Sequence, residues 1–451
     1  MSNVATDQLL AEIQDLIRER EEEGVRGLAE RVGPSEWADL VPRLDPREVA
    51  VLIRWLPDEE LPELFEELEP SQAASILRTL TEPEAADVLA EMDPDDAADV
   101  VDELSDPEAD RILIRMRPED AAEIRGLQAY PPESAGGIMT PAFVAVTRDA
   151  TAAEAIAAIR RLVADAETVN YVYVIDDERH LLGVLSLYRL LLSPATTPVV
   201  QLMAPTTVRV QADADQEAAA RLLTDRNLLA IPVVDDQDRL LGIITEDDVA
   251  EVLEAEATED IARLGGSEPL NVPYRLSSVP LLVRKRVGWL LLLFVAEAYT
   301  GTVLRSFENE LADVVALSFF IPLLIGTGGN VGSQTVTLIV RAMALGEVAL
   351  RDIAWIILKE LRVGLILGLV MAVVAFGRAW TLGVGLDIQV VVAVSILAIC
   401  LWAATVAAAL PLVLRRLRID PAVVSAPLIS TLVDGTGLII YFQVAKYLLH
   451  L

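Results

Sequence analysis

Five long apolar stretches, near residues 287–304, 313–340, 361–377, 388–414 and 422–444, constrain this chain more than any other feature. Each can cross about 30 Å of hydrocarbon as a helix rising about 1.5 Å per residue, the third only just. Backbone polar groups in lipid must be satisfied within the segment, which leaves helices as the structure for such spans. An all-α transmembrane domain of five helices is therefore expected over residues 279–451. Arg284, Lys285 and Arg286 precede the first span. Arg341, Arg351, Lys359 and Arg362 lie between the second and third, and Arg415, Arg416 and Arg418 between the fourth and fifth. Basic loops face the cytoplasm, so the expectation is a multi-pass protein of the cytoplasmic (inner) membrane with its N-terminus inside and its C-terminus outside.

Charge divides the chain at the same place. Residues 1–270 hold 59 acidic against 22 basic residues, a net of −37, whereas residues 271–451 hold 10 acidic and 14 basic, a net of +4. Such an acidic half repels nucleic acid and anionic lipid and attracts cations; general surface acidity is the alternative explanation. Cys400 is the single cysteine, and the two histidines, His180 and His450, are far apart. Thiolate and imidazole sites within one chain are thereby excluded, and oxygen ligands point to hard cations. The N-terminal segment "MSNVATDQLLAEIQDLIRER" is amphipathic and charged, with no apolar core of a secretory signal.

The acidic half has two parts. Leu44, Leu56, Leu68, Leu80, Met92, Leu104 and Met116 recur every twelve residues, most followed by Pro and an acid, as in "MDPDDAADVVDE". Each unit reads as a proline-started short helix with one apolar face, so residues 1–135 are expected to stack as an acidic helical repeat. From residue 136 to 263 strands and helices alternate. "NYVYVIDD" and "LAIPVVDD" are strands, followed by "LLGVLS" and "LLGIIT", and the two blocks begin alike at "IMTPAFVAV" and "LMAPTTVRV". This duplication resembles a tandem pair of CBS domains, an α/β regulatory module often binding ATP or another adenine nucleotide. The family's ribose-holding Ser/Thr-x-x-Asp matches Thr245 and Asp248 in the second copy, but the first has Ser186 followed by Arg189. Residues 249–278 read as an acidic connecting helix and linker.

Two spans carry polar groups that an anchor does not need. In "FIPLLIGTGGNVGSQTVTLIV", Pro322, Gly326, Gly328 and Gly329 are expected to interrupt the second helix and expose carbonyls, with close packing of small residues as the alternative. In "STLVDGTGLIIYF", Asp434 sits inside the fifth. An ionisable group at bilayer depth costs a few kcal/mol and reads as functional. Counted from Arg341 and Arg418, Asn330 lies about 17 Å and Asp434 about 24 Å from the cytoplasmic edge. The spans hold no Lys or Arg in their central portions, so a solution cation is the remaining partner. Two chains at a two-fold axis would present a carboxylate pair ringed by the Gly329 carbonyl, Asn330, Thr327 and Ser430, an outer-sphere site suited to hydrated Mg²⁺. This reading does not separate Mg²⁺ from Mn²⁺, Co²⁺ or Ca²⁺. Glu297 in the first span either lines the same path or joins a contact between helices. An embedded enzyme would need a converging catalytic set, which the spans lack, and an anion path would need basic groups. A cation-sensing membrane protein that does not transport is the third reading.

The order of acidic repeat, CBS pair, connecting helix and five spans, with "PLLIGTGGNVGSQ" and "TLVDGTGLIIYF", resembles the MgtE family of magnesium channels and transporters over essentially the whole chain. The resemblance implies a homodimer whose axial pore binds hydrated Mg²⁺ at Asp434 and is closed by cytosolic Mg²⁺ held between the acidic domains and the connecting helix. The sensor ligands it implies are Asp248, Glu251, Glu256, Glu259 and Asp260 at that helix, Asp93 and Asp96 in the repeat, and Asp420 before the fifth span. Asp420 is equally placed to cap a helix start ahead of Pro421.

Overall fold

The computed structural model describes residues 3–451 except 30, 163–165, 167, 206–207, 271, 273, 275–276 and 418; Arg418, used above to place the fifth span, lies outside the described residues. The chain divides into two units, Met1–Glu256 with Asn271–Leu276, and Ala257–Leu270 with Ser277–Leu451.

The first unit opens with α1 (Asn3–Glu19), α2 (Glu22–Ala29), α3 (Pro34–Leu40), α4 (Pro46–Trp55), α5 (Leu61–Glu66), α6 (Pro70–Leu77), α7 (Glu82–Glu91), α8 (Pro94–Asp102), α9 (Asp106–Leu113) and α10 (Pro118–Leu127). The twelve-residue period is the period of this stack. Leu44, Leu56, Leu68, Met92, Leu104 and Met116 are buried and Leu80 is half-buried. Proline at the first turn of α4, α6, α8 and α10 starts each helix where a missing N–H costs nothing. Asp45 and Thr81 add capping boxes with Glu48 and Glu84. Alternate helices then pack on one another, α6 on α8 and α8 on α10, α5 on α7 and α7 on α9.

Two small sheets follow. The first pairs β1 (Phe143–Thr147), β2 (Thr168–Ile175), β3 (Leu181–Ser186) and β4 (Ala204–Pro205) in that order, with α11 (Ala152–Leu162), α12 (Leu187–Leu192) and α13 (Val199–Leu202). The second pairs β5 (Val210–Gln211), β6 (Ala230–Val234) and β7 (Leu240–Thr245), with α14 (Gln216–Arg226). The blocks exchange their leading segments. Thr140 of "IMTP" exchanges both backbone bonds with Ile243 of β7, at 2.8 and 2.9 Å, while Ala204 and Pro205 of "LMAP" pair with β3. Gly183 and Gly242 permit this, because a Cβ there would stand 2.8 Å from the Ala204 carbonyl and 2.7 Å from that of Thr140. From β7 the chain enters α15 (Glu246–Leu264).

The second unit contains α16 (Val279–Ser306), the short α17 (Glu308–Asp313), α18 (Ile321–Ala344), α19 (Ile353–Thr381), α20 (Leu386–Arg416) and α21 (Ala426–Leu449). Five segments are long and apolar enough to cross a membrane: Val279–Ser306, Val315–Ala344, Leu350–Thr381, Leu386–Arg416 and Ala426–Leu449. The expected interruption of the second span is not found. Helix α18 is continuous, because Pro322 stands in its first turn and starts it. Its glycines serve packing instead: a Cβ on Gly328 would lie 2.6 Å from Ile399 of α20 and 2.9 Å from Val433 of α21, and one on Gly332 would lie 2.6 Å from Ile429. Small residues at such crossings let backbones approach where no hydrophobic force drives helices together.

Candidate metal centre and candidate ion path

Two places gather the carboxylates singled out above. In the first unit, Glu63, Glu66, Glu67, Asp93, Asp95, Asp96, Asp247, Asp248, Glu251 and Pro34 line a cavity of about 330 Å³. The sequence builds it from helix ends. Glu66 closes α5, Asp93 and Asp96 stand in the N-terminal turn of α8, and Asp247, Asp248 and Glu251 lie in the first turns of α15. The Asp93 backbone N–H donates to Glu66 at 2.8 Å. The Thr245 N–H and hydroxyl donate to Asp248 at 3.0 and 2.7 Å, and the hydroxyl also contacts Asp247. One oxygen each from Glu66, Asp93 and Asp96 lie within 4.8 Å of one another.

With no basic side chain among the lining residues, the charged forms are disfavoured. Burial, then repulsion from Glu66, Glu251, Asp248 and Asp93, pushes Asp96 up to about 9. Burial and Asp248 push Glu251 up to about 7. Burial raises Glu66, Asp93 and Asp248 as well, the last against the opposing bonds from Thr245. Oxygen-only ligands lining a cavity of this size suit Mg²⁺ or Ca²⁺. A cation here must displace protons. Mg²⁺ affinity should therefore rise with pH between about 7 and about 9, with proton release on binding, measurable by titration calorimetry in buffers of different ionisation enthalpy. These acids titrate above their unfolded values, so they cost the metal-free protein stability as pH rises from about 4 to about 9. Its melting temperature should fall across that window, and Mg²⁺ should reverse the fall most strongly at the alkaline end.

Of the sensor ligands expected, Asp93, Asp96, Asp248 and Glu251 meet in this cavity. Glu256 does not line it; its carboxylate accepts from Gln216 at 2.8 Å. Glu259 and Asp420 both pair with Arg263, Asp260 is also engaged, and Asp420 caps the Ala422 N–H at 2.8 Å. Glu66 was not among the expected residues. No local pattern marks it, since Asp93 reaches it across 27 positions.

In the second unit, α18 and α21 touch at Gly329 and Ser430. A Cβ on Gly329 would lie 3.1 Å from Ser430 Oγ, which meets Ser333 Oγ at 3.1 Å. Asn330 is therefore level with Ser430, and Asp434 lies one turn, about 6 Å, further along α21. Asp434 is half-buried, and among the described residues no hydrogen bond or basic group reaches its carboxylate; the charge bearing on it is Glu297 of α16. The Thr327 hydroxyl is turned to its own helix, donating to Leu323 O at 2.7 Å. Gly326, Asn330, Gln334 and Thr337 form an exposed, largely polar stripe on α18.

Comparison with known proteins agrees with this layout. A family model described as MgtE, divalent cation transporter, matches residues 321–444. Models for the MgtE intracellular N domain and the CBS domain match residues 32–133, and 135–194 with 199–255. The magnesium transporter MgtE of Thermus thermophilus is 45% identical over 327 residues, 72% of this chain and 72% of the relative. The chain belongs to the MgtE family of magnesium transporters. The MgtE of Bacillus subtilis is 34% identical over 325 residues, 72% of this chain and 71% of its own. The crystal structure of the cytosolic domain of the Mg²⁺ channel MgtE in complex with ATP is 35% identical, with a TM-score of 0.52 over 54% of this chain and 99% of that one. That of the soluble part of a magnesium transporter is 31% identical, with a TM-score of 0.51 over 56% and 99%. The fold expected from sequence is thus an MgtE fold: a helical N domain, a CBS pair and five apolar helices of a multi-pass membrane protein. The relatives' named function, magnesium transport, is not enzymatic.

Proposed function

We propose that this MgtE protein carries Mg²⁺ into the cell across the cytoplasmic membrane as a homodimer, with N-terminus inside and C-terminus outside, and that cytosolic Mg²⁺ closes it. The observation that carries the reading is Asp434, an intramembrane carboxylate without a partner among the described residues of its own chain. Placed at a two-fold axis, two copies would hold a hydrated cation beside the exposed Asn330, while Gly329 and Ser430, packed on each other, and Thr327, bonded to its own helix, set the position of α18 and α21 behind it. Closing follows from the acid cavity. Mg²⁺ bound by Asp93, Asp96, Asp248 and Glu251 favours the compact arrangement, and a ligand that prefers one state shifts the population to it. Glu256, Glu259, Asp260 and Asp420 are assigned supporting parts along α15 and before α21. Entry of Mn²⁺ or Co²⁺ by the same path is the alternative in selectivity. An adenine nucleotide at the CBS pair is supported by the ATP bound to the 35% identical relative; Thr245 and Asp248 would face its ribose, and Arg189 replaces the matching acid in the first block.

The axial pore is tested by Asn330→Cys, treated with a short bis-maleimide in membranes. Cross-linked dimers are expected from this position and not from Ile366→Cys, at a residue 63% exposed on the apolar face of α19. Monomers from both would remove α18 from the axis.

A further inference from the structure

Arg263 has no part in the reading above, yet it joins two of the carboxylates assigned to it. It stands in the last turn of α15, where its guanidinium pairs with Glu259 one turn back on the same helix and with Asp420, 157 positions on in sequence. Asp420 in turn caps the short turn that leads into α21. Around this bridge the end of α15 is held closely. Gly266, at φ +73°, lies so near α21 that a Cβ there would stand 3.4 Å from Pro427. The Glu268 N–H donates to the Lys285 carbonyl of α16 at 3.0 Å, and their side chains approach to 3.7 Å.

We propose that Arg263 is a positioning residue: a built-in cation that fastens the end of α15 to the start of α21 without any divalent ion. The inference rests on the proposed closing by cytosolic Mg²⁺, and assigns this contact to the closed side. Glu259 and Asp420 then act as arms of an ion-pair clasp, and the acid cavity supplies the Mg²⁺ dependence. Without Arg263 the two carboxylates repel, and more Mg²⁺ is needed to close.

The test uses the full-length protein in liposomes, with Arg263→Gln and Arg263→Lys beside wild type. Uptake at low cytosolic Mg²⁺ should be unchanged in both. The Mg²⁺ concentration that halves uptake should rise roughly two- to fivefold in Arg263→Gln, the range for a half-exposed ion pair, with Lys recovering part of it. Hydrogen exchange at the amides of residues 421–428 should be faster in Arg263→Gln. An unchanged or lowered closing concentration overturns the proposal, the latter marking Arg263 as a competitor of Mg²⁺. Should wild type not close with Mg²⁺ at all, the closing reading fails, and exchange alone decides the clasp: unchanged protection removes it.

Discussion

Asp434→Ala is expected to abolish Mg²⁺ uptake by a protein that still folds and inserts. The side chain is half-buried between packed helices and has no hydrogen bond or basic group among the described residues. Nothing among them therefore explains retaining a carboxylate that costs a few kcal/mol at this depth. The proposed hydrated cation would explain it, since each charge-assisted bond from its waters to the carboxylate would contribute about 1.5–3 kcal/mol. Losing two such bonds lowers flux by about a hundredfold or more, at about 1.4 kcal/mol per tenfold. Asp434→Asn keeps an acceptor without the charge and should fall between. The measurement is dye-reported uptake into liposomes at low internal Mg²⁺. Wild-type flux in the Ala variant would leave Asp434 as a contact between helices and make Glu297 the next carboxylate to test.

The second large effect is expected at the acid cavity. Asp96→Ala combined with Glu251→Ala should leave uptake running at cytosolic Mg²⁺ that closes wild type, with the closing concentration raised about tenfold or more, as expected for losing one or two charge-assisted contacts. Replacing acids has two opposed consequences: it removes ligands of the proposed Mg²⁺ site, and it relieves repulsion among the carboxylates that line the cavity. Ligand loss should dominate, because eight further residues line the cavity, most of them acidic, while the close carboxylate trio loses a member. A lowered closing concentration would show that repulsion relief dominates instead. Chelator titrations of the same liposomes read either sign.

Much of this architecture was legible because it repeats. A twelve-residue period names its own buried positions, and a duplicated strand pattern names a paired domain. Five long apolar runs leave helices as the form of the membrane half. The failures lie where a residue's meaning depends on a distant neighbour. Glycines in the second span read equally as a break or a packing face, and the choice is made by Ile399, Ile429 and Val433, up to 105 positions away. Glu66 enters the acid cavity only because the stack returns α8 to the end of α5. Glu259 and Asp420 carry charges that suit a cation, and the sequence does not say that Arg263 already supplies one.

The most direct test of the central claim is Mg²⁺ uptake by the purified wild-type protein in liposomes while free Mg²⁺ is raised on the side bearing the acidic domains. Robust uptake at low Mg²⁺, shut off steeply as that side fills and restored by chelation, is the predicted result. No uptake at any concentration, or uptake indifferent to Mg²⁺ on that side, would contradict it.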